Sequence, residues 1–115
     1  MWLSVALDDR ALKYDEAYKI HYVDGEPSVE YYFDEKTAQA LEDDGFLTEM
    51  WDKFDAMFDW DDYDFFEPDK CVGFRQWLLD RMKRPMNDTV RPVYEKMLEY
   101  ANLAIKCNTG IAFDF

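Results

Sequence analysis

Apolar residues come in short β-prone blocks near both ends of the chain and at helical spacing between them. Trp2–Leu7 (WLSVAL) predicts a first strand. Ala17–Val23 (AYKIHYV) and Ser28–Phe33 (SVEYYF) are rich in Tyr, Val and Ile, and Asp24-Gly25-Glu26-Pro27 separates them. Gly supplies a positive φ and Pro a fixed one, so the pair predicts a hairpin with a four-residue loop. Ala11–Lys19 also fits a helix. Asp34 then caps a helix over Glu35–Asp43, with an acid in its first turn and Gly45 just past its end. Phe46, Leu47, Met50, Trp51, Phe54, Met57 and Phe58 recur at spacings of three and four, which predicts one buried helical face.

The period is lost over Trp60–Pro68, which reads as a loop or a loose helical turn. Pro68-Asp69 opens a third helix, about Asp69–Lys83, with Phe74, Trp77, Leu78 and Met82 on its apolar side. Arg81, Lys83 and Arg84 complement the negative end of its dipole, and Pro85 stops it. A fourth helix, about Arg91–Cys107, carries Val93, Met97, Leu98, Ala101, Leu103, Ala104 and Ile105. Asn108-Thr109-Gly110 ends it, and Ile111–Phe115 (IAFDF) is a last short strand. Strands at both ends with helices between them give an α+β fold. Its small, mostly antiparallel sheet of three to four strands, N- and C-terminal strands included, is covered on one face by about four helices. At 115 residues, residues 1–115 form a single domain.

Charge changes the picture most. Residues 42–69 hold 12 acids against one base, Lys53, while residues 70–115 hold 5 acids and 8 bases. The whole-chain −13 is therefore concentrated in one segment. Crowded carboxylates repel and weaken the compact state, so a role outside stability is implied, with a basic partner the first candidate. Direct nucleic-acid binding is disfavoured because phosphate contacts need clustered Lys and Arg. An anionic membrane surface is disfavoured likewise. No apolar run approaches a bilayer span, and Trp2–Leu7 lacks the basic leader of a signal peptide, so a cytoplasmic location is expected.

Catalytic and metal chemistry find little support. Cys71 and Cys107 match neither a redox pair nor a zinc set, and read as free thiols. The single histidine, His21, has no ligand spacing around it, and Ser4 and Ser28 lie in no nucleophile elbow. A calcium loop registered from Asp59 would want an acid at 63, Gly at 64 and Glu at 70. The chain has Tyr63, Asp64 and Lys70. A non-enzymatic protein with no metal and no cofactor is expected.

The acidic run divides at Phe58. Before it, apolar spacing accounts for every aromatic, so Trp51, Phe54 and Phe58 are expected in the core. After it, Trp60, Tyr63, Phe65 and Phe66 fall within seven residues, too many to bury by any period that also hydrates Asp61, Asp62 and Asp64. Rings beside carboxylates have the anatomy of an interface hot spot, the rings as desolvated anchors and the acids as partners for Arg and Lys. The expected partner-binding residues are Asp55, Asp59, Trp60, Asp61, Asp62, Tyr63, Asp64, Phe66 and Glu67.

In composition and architecture the chain resembles the bacterial toxin-immunity proteins of contact-dependent growth inhibition and other polymorphic-toxin systems. The acidic patch carries the resemblance, with the terminal helix-then-strand (Pro92–Cys107, Gly110–Phe115) as a further feature. No motif defines these proteins, so no site residue is carried over. The resemblance implies a stoichiometric inhibitor, a monomer or 1:1 complex, bound to a cognate basic toxin domain, often a nuclease. A DNA-mimic inhibitor of a restriction or CRISPR complex uses the same electrostatics over a longer surface. A regulatory adaptor and a small metal-dependent hydrolase are the remaining alternatives.

Overall fold

Local stop and start signals set the helices. The computed structural model describes residues 1–14, 20–56 and 63–115. Asp34 caps α1 (Glu35–Asp43): its carboxylate accepts from the Thr37 backbone N–H at 2.9 Å and the Thr37 hydroxyl at 2.8 Å. Gly45, at φ +85°, turns the chain into α2 (Phe46–Phe54), which ends on Asp55 in the left-handed region at φ 54°. α3 (Pro68–Arg81) opens on proline, and α4 (Arg91–Cys107) closes on left-handed Asn108.

Among the described residues six strands are formed: β1 (Trp2–Ala6), β2 (Leu12–Tyr14), β3 (Ile20–Tyr22), β4 (Ser28–Tyr32), β5 (Tyr63–Phe66) and β6 (Ile111–Asp114). β4, β1, β6 and β5 lie in that order in one antiparallel sheet, so both terminal strands are central. The fold is α+β, as expected. The pairing corrects two expectations. Ser28–Phe33 does not pair with Ile20–Tyr22, the rest of the expected partner strand before residue 20 lying outside the described residues: β4 pairs with β1, Val5 opposite Val29, while β3 pairs with β2 in a separate ribbon. The Asp24–Pro27 turn is real, with Glu26 N–H donating to the Val23 carbonyl at 3.2 Å, but it joins strands of different sheets. Tyr63–Phe66, read as a loop, is an edge strand in register with β6.

Leu3, Val5, Ile111, Phe113 and Phe66 on the sheet share one core with Phe74 and Leu78 of α3 and Val93, Tyr94 and Met97 of α4. Aromatic edges meet faces there: Phe66 lies 5.2 Å from Phe74 and 4.8 Å from Phe113, centroid to centroid. Gly110 (φ +120°) lets β6 approach β5, because a Cβ there would stand 2.5 Å from both the Phe65 ring and the Phe66 carbonyl oxygen.

Acids of the dense segment also belong to this framework: Glu49 Oε2 accepts from the Trp77 indole N–H at 3.1 Å and joins α2 to α3, and Asp44 makes a larger clamp. Asp44, at the end of α1, receives Arg81 Nη2 at 2.7 Å and Nε at 3.0 Å, and the Tyr94 hydroxyl at 2.5 Å. Arg81 also donates to the Arg84 and Pro85 carbonyls beyond α3. Burial acts to raise the Asp44 pKa, but the bonds from Arg81 and Tyr94 override it and hold the carboxyl below its usual range. Burial and donation to Asp44 push the Tyr94 phenol up. The clamp ties the α1–α2 turn to α3 and α4.

Candidate functional site

α2 is only nine residues long, and its apolar face is narrower than its apolar content. Phe46 and Met50 are fully buried, and Phe54 packs against the core. Trp51 lies roughly 140° around the helix from Phe46, and 51% of it is exposed. This corrects its expected core position. The helix ends three residues later, and Met57 and Phe58, expected to extend it, lie outside the described residues.

The end of α2 forms one wall of a cleft of about 950 Å³. β5 supplies a second wall through Tyr63, Asp64 and Phe65, and the start of α3 supplies Glu67, Asp69 and Lys70. β5 is an edge strand, paired with β6 on one side, and the cleft is lined by its residues and those of α2 and α3. Five carboxylates (Asp52, Asp55, Asp64, Glu67, Asp69) face two ammonium groups (Lys53, Lys70) around it. Asp64 Oδ1 accepts from the Phe65 backbone N–H at 2.7 Å. Among the described residues, no ion pair joins these five acids to a basic side chain. Lys70 instead holds Nζ 5.2 Å from the centroid of the Phe66 ring.

The expected binding residues separate accordingly. Asp55, Tyr63, Asp64 and Glu67 all line the cleft. Asp59, Trp60, Asp61 and Asp62 lie outside the described residues. Phe66 is a correction: it is fully buried, in ring contact with Phe54, Phe74 and Phe113, because β5 alternation turns it toward the helices with Ile111 as its cross-strand neighbour. It builds the floor of the core rather than a contact surface. Trp51, Phe65 and Lys70 are cleft residues that sequence reasoning did not select. The signal for Trp51 was present in its angular position, at the margin of the apolar stripe.

The cleft suits recognition of a cation by charge and by ring faces. Neither cysteine lines it: Cys71 is buried on the inner side of α3, its Sγ 3.5 Å from the Phe66 carbonyl, and burial pushes its pKa up to about 12. Among the described residues, no group of three or more His, Cys, Asp or Glu is arranged to hold a metal ion, and no helix is long and apolar enough to cross a membrane. Comparison with protein-family models, with curated proteins and with solved structures finds no match to this chain.

Proposed function

We propose that this chain is a non-catalytic acidic binding protein that neutralises a cognate basic toxin domain, such as a nuclease, by stoichiometric binding in the bacterial cytoplasm. The observation that carries this reading is the cleft between α2, β5 and α3, where a half-exposed Trp51 stands among Asp55, Asp64 and Glu67. A protein surface that grips nucleic acid is rich in Lys and Arg, and it is complementary to this wall in charge. The acidic field speeds encounter, and the desolvated rings slow escape. Neutralisation then follows from occupancy: the toxin surface that would hold phosphates holds carboxylates instead.

Co-purification and inhibition assays with the product of the adjacent toxin gene test the proposal. A 1:1 complex that weakens with added salt is expected. Asp64→Lys with Glu67→Lys should lower the association rate by about tenfold or more, whereas Glu99→Lys, on α4, should leave it nearly unchanged. Absence of a complex, or equal effects of the two charge reversals, defeats it.

A further inference from the structure

The cleft carries a more specific assignment than a general affinity for positive charge. Its walls combine aromatic side chains with carboxylates: half-exposed Trp51 from α2, Phe65 from β5, and the acids already named. A lysine of the chain itself already stands against a ring on this side of the molecule, Lys70 over Phe66. Lysine and arginine would be drawn equally by the charge alone, but they differ in what rings offer them. Guanidinium is flat, weakly hydrated and able to stack on an aromatic face while its N–H groups reach carboxylates in the ring plane. Ammonium is compact and strongly hydrated, and gains less from a half-exposed indole.

From this we infer that the α2–β5–α3 cleft is an arginine-selective anchor site, which takes an arginine side chain of a basic protein partner with its guanidinium on the Trp51 ring and its N–H groups on the cleft carboxylates. The inference rests on the proposed binding role of the same cleft and adds the residue type that it selects. Trp51 is the selectivity determinant, because the carboxylates attract both cations and the ring separates them. Its exposure follows from the shortness of α2 and its place at the margin of the apolar stripe, so it is available without any rearrangement of the core.

The probes are hexa-arginine and hexa-lysine peptides, equal in charge, titrated into the intact chain by calorimetry and by nitrogen–proton NMR. The Trp51 indole resonance is assigned by its loss in Trp51→Leu. Hexa-arginine should bind about 3- to 10-fold more tightly than hexa-lysine and move that resonance further. Trp51→Leu and Trp51→Ala should erase the preference while salt-sensitive binding of both peptides persists. The thermal midpoint of each variant confirms that it is folded. Equal affinities for the two peptides, a preference that survives both Trp51 variants, or an unmoved Trp51 resonance overturns the inference. Arginine selectivity without a toxin complex sustains the anchor site and removes the immunity reading. A toxin complex without arginine selectivity does the reverse.

Discussion

Asp44 and the carboxylates of the cleft come from the same acid-rich run, yet the fold uses them in opposite ways. Asp44 is met by two guanidinium nitrogens and a phenol, its side chain 19% exposed and that of Arg81 8%. Asp52, Asp55, Glu67 and Asp69 are exposed, and among the described residues no basic side chain pairs with them. A carboxylate held by fixed donors lowers the energy of the folded state, whereas neighbouring carboxylates without such donors raise it. Sequence proximity therefore conceals a division of labour: Asp44 and Glu49 fasten helices together, Glu49 by accepting from the Trp77 indole N–H at 3.1 Å, and the cleft carboxylates hold charge at a surface where the fold gains little from it.

The comparison can be broken most directly at the clamp. Asp44→Ala leaves the Arg81 guanidinium largely buried with only the Arg84 and Pro85 carbonyls as acceptors. Removing one partner of such a pair should cost about 3–5 kcal/mol, read from the urea midpoint at unchanged slope. Asp44→Ala with Arg81→Met should cost clearly less than the sum of the single changes, because the second substitution removes the stranded charge. A cost for Asp44→Ala under about 1 kcal/mol would place it with ordinary surface pairs, and the contrast with the cleft would disappear.

Acid titration sharpens the same contrast at a smaller amplitude. The Asp44 pKa lies below its unfolded value, so its contribution is present above the ordinary carboxylate range and is lost as pH falls through that range toward the folded value. Asp34, held down by the Thr37 amide and hydroxyl, and Asp8, held at about 2 by the Arg10 amide and guanidinium, act in the same direction. Stability should therefore decline from about pH 5 downward. Asp44→Asn should flatten that decline. A slope unchanged by Asp44→Asn would show that the clamp has no special share in it.

The sequence revealed what neighbouring residues decide and concealed what distant ones decide. The Asp34 cap, the proline that opens α3 and the Asn108 stop of α4 are local chemistry, and all three stand where the pattern put them. The partner of β4 is set by which strand it can cover the core with. That strand is β1, and the well-formed turn at Asp24–Pro27 gave no hint of it. β5 was illegible for another reason. Its alternation puts Asp64 and Phe66 on one face and Tyr63 and Phe65 on the other, so the face that carries the buried ring also carries an acid. The clamp joins residues 37 and 50 positions apart, and no spacing rule connects Asp44 with Arg81 and Tyr94. Within the cleft, Asp55, Tyr63, Asp64 and Glu67 were legible from density of charge and rings. Trp51 was not, because helical periodicity assigned it to a core that α2 is too short and too narrow to give it.

The smallest stability effects should come from the cleft, and their sign matters more than their size. Asp55→Asn keeps a residue tolerant of left-handed backbone at φ 54°. Asp64→Asn keeps a carbonyl oxygen for the Phe65 N–H. Glu67→Gln removes charge at the start of α3, where the helix dipole favours an acid, so part of the relief of repulsion is offset there. Each change should move stability by no more than about 0.5 kcal/mol. The triple variant should be as stable as the parent or slightly more so, since three like charges leave one crowded region. Added salt should stabilise the parent more than the triple variant, because screening does for the parent what substitution has already done for the variant. Should the triple variant instead lose more than about 2 kcal/mol, these acids would be structural elements of the fold like Asp44. The case for a surface charged for the sake of a partner would then fail with them.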